Sequence, residues 1–194
     1  MLREKLKKHT LVLASRSPRR MKLLQETGIP FRLAIPLDID ERYPEGLSKF
    51  EIPLYLAELK SNAYGEIPDS EILITADTIV WFENHQIGKP VDADDAFRIL
   101  SSLSGAMHEV ITGVCLRKNF QTRTFYSHSE VYFTKISDEE IWHYIEKCKP
   151  FDKAGAYGIQ EWIGYIGIER INGSYFNVMG LPVQKLYREL EVFI

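Results

Sequence analysis

The stretch Glu71-Ile72-Leu73-Ile74-Thr75-Ala76-Asp77-Thr78-Ile79-Val80-Trp81 constrains the fold more than any other part of the chain. A continuous apolar run of this length, bounded by polar turns, reads as a strand buried inside a sheet. One carboxylate interrupts it. Burying an unpaired charge is expensive, so Asp77 must meet a cation, a metal or strong hydrogen-bond donors, or else be protonated. The bland alternative is an aspartate that leaves the sheet and caps a turn.

Elements on either side alternate in hydrophobic period. Leu11 to Ala14 is a short apolar run, followed by Ser17-Pro18 as an N-cap with proline at the first helical position, and Gly28 closes the helix. A second helix is predicted from about Pro53 to Tyr64, with Leu56, Leu59 and Ala63 at helical spacing and Lys60 beside them. After a polar turn at Asn84, Ile87-Gly88-Lys89-Pro90 leads to a helix capped near Asp92 and stopped by Gly105. Met107 to Arg117 and Thr122 to Lys135 read as two long antiparallel strands, and Ser137-Asp138-Glu139-Glu140 as a capping box opening a helix that ends near Cys148. Asn172-Gly173 predicts a hairpin between Tyr165–Ile171 and Ser174–Val178, and Pro182 starts a last helix with Val183, Leu186 and Leu190 inward. A mixed α/β fold with a long central sheet follows.

With 194 residues the chain reads as one folding unit, and a net charge of -3 argues against a dedicated nucleic-acid binder. Two cysteines, Cys115 and Cys148, without zinc spacing, suit a reduced, cytoplasmic compartment. Arg3, Lys5, Lys7 and Lys8 precede only Leu11-Val12-Leu13-Ala14, too short for a signal peptide or a membrane span, so the N-terminus reads as a solvated basic lead-in.

Four constellations carry chemistry. In Ser15-Arg16-Ser17-Pro18-Arg19-Arg20, hydroxyls, helix-start N–H groups and two guanidinium forks can converge on one anion. Arginines in a first helical turn oppose the helix dipole by about 0.3–1 kcal/mol each, a penalty that a bound phosphate turns into attraction; surface ion pairs are the alternative. Asp77 can bind Mg²⁺ through oxygen and accept a proton from water, the two tasks that phosphoanhydride hydrolysis needs. Asp40-Glu41, Lys60 and Lys89 are scattered polar residues that can complete a metal site or hold phosphates, each weak alone. In Asp152-Lys153-Ala154-Gly155-Ala156-Tyr157-Gly158-Ile159-Gln160, two glycines allow close backbone approach and Gln160 offers a donor and an acceptor to a base edge. No phosphate-loop, dinucleotide, zinc-helix or nucleophile-elbow motif is present.

In order along the chain, Leu13-Ala14-Ser15-Arg16-Ser17-Pro18-Arg19-Arg20, Ala76-Asp77-Thr78, Gly88-Lys89-Pro90 and Lys153-Ala154-Gly155-Ala156-Tyr157-Gly158-Ile159-Gln160 resemble the signature blocks of the Maf family. His108 to Val114 and Gly173 to Pro182 extend the likeness. The resemblance implies an α/β fold of the Maf and inosine-triphosphatase type, with a mixed long central sheet flanked by helices and two closely packed lobes with a cleft, in a single domain over residues 1–194. It implies a cytoplasmic, homodimeric, metal-dependent nucleoside triphosphate pyrophosphatase that cuts between the α- and β-phosphates, with Mg²⁺ or Mn²⁺ as the cation. Asp77 matches the family's proposed general base; Arg19, Thr78 and Gln160 match positions tied to the branch that acts on dTTP and UTP. On this reading Glu41 is a second metal ligand, and Ser15, Arg19, Arg20, Lys60 and Lys89 serve the triphosphate. No stable nucleic-acid partner and no membrane association are expected. Glu161-Trp162 departs from the pattern, where glycine is expected after the glutamine, and an acidic, bulky pair there can reshape the base pocket. Two rivals stay open: a pyrophosphatase for inosine- or xanthosine-type triphosphates, and a nucleotide-binding regulator of cell division.

Overall fold

The computed structural model of the chain describes residues 2–35 and 37–194. Its helices and strands run α1 (Leu2–Lys5), β1 (Thr10–Leu13), α2 (Pro18–Glu26), β2 (Phe31–Leu33), α3 (Glu51–Asn62), β3 (Glu71–Phe82), β4 (His85–Ile87), α4 (Ala93–Leu103), β5 (Met107–Lys118), β6 (Gln121–Phe133), α5 (Asp138–Cys148), α6 (Trp162–Gly167), β7 (Ile168–Asn172), α7 (Tyr175–Val178) and α8 (Val183–Phe193). Among the described residues seven strands form one mixed sheet in the order β2-β1-β3-β5-β6-β7, with β4 paired to β3. The mixed α/β fold with long central strands is as the periodicity predicts.

Local chemistry explains most element ends. Ser17 Oγ accepts the Arg20 N–H and Pro18 fills the first helical position of α2, while Gly28 leaves the helix at φ +69°. Asp92 caps α4 by accepting the Asp95 N–H at 2.7 Å. Both halves of the capping box at Ser137 and Glu140 are made. Glu83 and Asn84, at φ 45° and 66°, turn β3 into β4 in two residues, the left-handed pair that matches strand twist.

Two expectations fail. The chain at Asn172-Gly173 is no hairpin: Tyr165 to Gly167 belong to α6, and Ser174 caps the short helix α7. Gly173, at φ +131°, passes so close to Ser129 that a Cβ would sit 2.6 Å from its Oγ. Beyond it Asn177 is buried and donates through Nδ2 to Val110 O and Ser129 Oγ, both at 2.9 Å, bonds that a second strand would forfeit. Nor is the N-terminus merely a solvated lead-in. Leu2 and Leu6 are buried, the Leu2 N–H reaches Tyr187 Oη and Lys5 Nζ reaches Glu191 O, both on α8.

The residues fall into two compact units, Met1–Asp77 with Thr112–Ser127 and Gly180–Ile194, and Thr78–Ile111 with His128–Met179. In the first, β1 pairs in parallel with β2 and with the start of β3, and Leu11, Leu13, Leu24, Leu56, Ile72 and Ile74 are buried. In the second, α4 and α5 pack through Ala96, Leu100, Ile141 and Ile145, with the Phe97 and Trp142 rings stacked at 4.9 Å. Burying such side chains supplies about 1.5–3 kcal/mol each.

Candidate active site

Strand β3 pairs with β1 as far as Ile74 and with β4 from Val80. Asp77 lies in the interval. The Ile74 carbonyl is taken by the Ala14 N–H on the β1 side, so by strand alternation the Ala76 carbonyl faces the same side, beyond Ile74, the last described residue of β3 in register with β1. Arg20 meets it, donating from Nη1 to Ala76 O at 2.9 Å and from Nε to Gly180 O at 2.7 Å.

The face of β3 that carries Thr75 and Asp77 is covered by α3. Thr75 Oγ1 donates to Ala57 O at 2.6 Å, and three residues along the helix Lys60 Nζ donates to Asp77 Oδ1 at 2.6 Å. The same ammonium lies 3.0 Å from Glu41 Oε2, so one cation joins strand, helix and loop. Side-chain exposure is 11% for Asp77, 17% for Lys60 and 53% for Glu41. The salt bridge is therefore sheltered at the strand and open to water at the loop.

Two devices hold α3 there. Gly113 on β5 allows the helix start to touch the sheet, because a Cβ would lie 2.3 Å from Pro53 C and O. The buried Arg117 donates to Ser61 Oγ at 3.0 Å, Ser61 O at 2.6 Å and Gly65 O at 2.7 Å. A guanidinium at a helix C-terminus meets carbonyls that have no helical partner, at the negative end of the dipole.

At the start of α2, Ser15 Oγ accepts the Ser17 N–H at 3.1 Å, and Arg16 turns outward to Leu37 O and Asp38. Burial pushes the Arg20 guanidinium below its ordinary value; Asp77 pulls it back up, Arg19 pushes it down and Glu41 pulls it up, in that order of strength. The structure thus brings Asp77, Glu41, Lys60, Arg19 and Arg20 into one electrostatic cluster. Arg20 also donates to two backbone carbonyls, which fixes its guanidinium within that cluster.

Thr78, Lys89 and Gln160 belong to the second unit. There the Gly155 N–H donates to Gly88 O at 3.0 Å, which fastens the Gly88-Lys89-Pro90 segment to the glycine-bearing loop. Lys89 is exposed. Gln160 Oε1 is buried with no hydrogen-bond partner among the described residues. Sequence reasoning passed over the role of Lys153, which is buried and pairs with Asp152 Oδ1 at 2.6 Å and Glu161 Oε1 at 3.2 Å. A lysine inside a small-residue, apolar loop was the available signal. Trp162, the other half of the unexpected pair, packs edge-on to His143 at 5.0 Å and joins the core of the second unit.

Among the described residues no three His, Cys, Asp or Glu gather as a metal site. Asp77 and Glu41, both on the Lys60 ammonium, are the carboxylates closest to that role. No helix among the described residues is long and apolar enough to cross a membrane.

Known proteins match the chain over nearly its whole length. A protein of Parabacteroides distasonis is 54% identical over 191 residues, covering 98% of this chain and 99% of the relative. One of Porphyromonas gingivalis is 51% identical over 193 residues (98% and 97%), and one of Flavobacterium johnsoniae 48% over 195 (100% of both). Each of the three is named dTTP/UTP pyrophosphatase. The solved structure of a HAM1 protein from Coxiella burnetii overlaps 66% of this chain and 74% of that one at 15% identity and a TM-score of 0.42, too slight a likeness to build on. The Maf family, described as Maf-like protein, matches residues 10–193, and the chain belongs to it.

Proposed function

We propose that this chain is a nucleoside triphosphate pyrophosphatase that hydrolyses dTTP and UTP to the monophosphate and pyrophosphate. The names of its full-length relatives support the substrate, and the arrangement that carries the chemistry is the Lys60 ammonium shared by Asp77 and Glu41 beside Arg20.

Phosphoanhydride cleavage is mostly a matter of position and charge. Water attacks the α-phosphorus, the bond from that atom to the oxygen bridging to the β-phosphorus breaks, and pyrophosphate leaves. Asp77 accepts a hydrogen bond from the attacking water, orients it and takes its proton. Lys60 fixes the Asp77 carboxylate and, with Arg19, Arg20 and Lys89, offsets charge on the phosphate oxygens; Ser15 and the start of α2 add neutral donors. No covalent intermediate on the protein is needed.

Hard oxygen donors fit Mg²⁺ or Mn²⁺, which is commonly held by one or two carboxylates together with substrate phosphates, and Asp77 with Glu41 supply that number. Such a cation, when bound, neutralises phosphate charge and polarises the bond that breaks. Thr78, Arg19 and Gln160 set substrate choice in this reading, and a cytoplasmic homodimer is the setting that membership of the family suggests.

Incubation with a panel of nucleoside triphosphates, with and without Mg²⁺ or Mn²⁺, tests the proposal when pyrophosphate and orthophosphate are assayed separately. Pyrophosphate from dTTP and UTP is expected. Orthophosphate as the first product refutes the α–β cut, a preference for inosine or xanthosine triphosphate refutes the substrate, and tight binding without turnover points to a nucleotide-binding regulator.

A further inference from the structure

Thr75 and Lys60 tie α3 to β3 in one register. Thr75 Oγ1 donates to Ala57 O at 2.6 Å; two residues on in the strand and three on in the helix, Asp77 Oδ1 accepts from Lys60 Nζ at 2.6 Å. Strand alternation puts Thr75 and Asp77 on one face of β3, and a spacing of three puts Ala57 and Lys60 at neighbouring positions on one helix face. Thr75, Ala57 and Ser61 are wholly buried. The Cys115 sulfur on β5 hydrogen-bonds with Ser61 and Thr75, and burial raises its thiol, which stays protonated and leaves the Thr75 proton to Ala57.

The core at this point does not require a hydroxyl. A valine has nearly the same shape and no polar atom to satisfy, whereas a buried hydroxyl is costly unless it is hydrogen-bonded. What the hydroxyl adds is direction. Apolar contacts such as those of the buried Ile52 and Leu56 are non-directional and let a helix slide on a sheet, but a 2.6 Å bond to one carbonyl does not. The fastenings of α3 to β5 act at its two ends: Gly113 lets its start approach the sheet, and Arg117 grips its last turn beyond Lys60. Thr75 holds the middle of the helix, and it does so from the strand that carries Asp77.

We propose that Thr75 is a positioning residue of the pyrophosphatase reaction: its hydroxyl fixes the register of α3 on β3 and thereby the placement of the Lys60 ammonium on Asp77 and against the triphosphate. Buried as it is, Thr75 acts through Lys60 and touches neither the attacking water nor the phosphates. One residue of slide along a helix axis is about 1.5 Å, and a misplacement of about 1 Å can cost as much as 10²-fold in rate. The inference rests on the reading that Lys60 and Asp77 serve this reaction.

The test measures kcat and KM for dTTP and UTP, by pyrophosphate release, in the wild type, Thr75→Val and Thr75→Ser. Thr75→Val removes the donor and keeps the shape; it lowers turnover by about tenfold on both nucleotides, chiefly in kcat, and Thr75→Ser, which retains the hydroxyl, keeps most of the wild-type rate. In a Lys60→Met background the same Thr75→Val change costs less than about twofold, because the ammonium that it placed is gone, whereas a merely structural hydroxyl costs as much in either background. A crystal structure of Thr75→Val reads the same point without turnover: Lys60 Nζ is expected to move out of hydrogen-bond reach of Asp77 Oδ1. Should Thr75→Val not fold, Thr75→Ala removes the same hydroxyl with less bulk and is read in the same way. Wild-type kcat in the variant, an undiminished loss in the Lys60→Met background, or an unmoved Lys60–Asp77 pair overturns the inference and leaves the proposed activity standing. A wild type that releases pyrophosphate from neither UTP nor dTTP overturns the activity itself, and the inference with it.

Discussion

Lys60 Nζ lies 2.6 Å from Asp77 Oδ1, joining a helix to the stretch of β3 between Ile74, where its register with β1 ends, and Val80, where that with β4 begins. The carboxylate that the apolar run made costly is thereby paired, and it remains close enough to the open Glu41 side to meet water and a ligand. A wholly internal salt bridge would have bought only structure. In the proposed reaction this partial shelter leaves the pair open to water.

Asp77→Asn tests this directly. The amide keeps an oxygen for Lys60 but takes no proton, so turnover at saturating substrate and metal falls by roughly 10²–10⁴-fold. Thermal unfolding should move little, because the shape and one hydrogen bond survive. Wild-type pyrophosphate release by this variant would remove Asp77 from the base role.

Removal of divalent metal with a chelator abolishes pyrophosphate release, and added Mg²⁺ or Mn²⁺ restores it, if Asp77 and Glu41 hold the cation with the substrate. Glu41→Gln withdraws one anionic ligand and raises the metal concentration for half-maximal activity by about tenfold, equivalent to roughly 1.4 kcal/mol. A titration curve that does not move would place the cation elsewhere.

Gly113→Ala separates scaffold from chemistry. The new methyl would sit 2.3 Å from the Pro53 backbone and 2.6 Å from Leu54 N, so α3 must shift away from the sheet. Overpacking against backbone costs about 1–3 kcal/mol or more, read as a lower unfolding midpoint in urea. Activity falls as well, since Lys60 rides on the displaced helix. A variant as stable as the wild type would show that the helix start yields without cost.

The parts legible in the sequence were those whose cause lies within a few residues. Ser17-Pro18, Asp92 and the Ser137/Glu140 capping box act on their own helix starts, and Asp77 announced its need for a partner by its apolar flanks. The parts that were not legible depend on residues far apart in the chain. Lys60 stood among three kinds of partner open to Asp77, and only the packing of α3 on β3 selects it. That Arg20 also clamps the Ala76 carbonyl depends on where the pairing of β3 with β1 stops, which no local pattern gives. Asn172-Gly173 has the composition of a hairpin turn, but Ser129 lies against it and Asn177 finds better bonds in a helical turn. Glu161 looked like a disturbance of the loop and is one of its anchors.

His108 supplies a prediction in pH. It is buried on β5, with Nε2 2.7 Å from Tyr157 Oη and its ring edge-on to Phe133 at 5.0 Å. Burial pushes its pKa down to about 4 from an ordinary value of 6.5, so the folded chain holds it neutral. The unfolded chain therefore takes up the proton first as pH falls. The stabilisation is complete above about pH 6.5 and drains away as pH drops through 6.5 towards 4. At pH 5 this one group removes about 2 kcal/mol relative to pH 7. His108→Gln keeps a polar partner for Tyr157 and does not titrate, at the expense of poorer packing that weighs equally at both pH values. In urea unfolding the wild type is expected to lead the variant by about 2 kcal/mol more at pH 7 than at pH 5. An equal lead at both pH values would mean that the ring gains its proton in the folded protein as readily as in the unfolded chain.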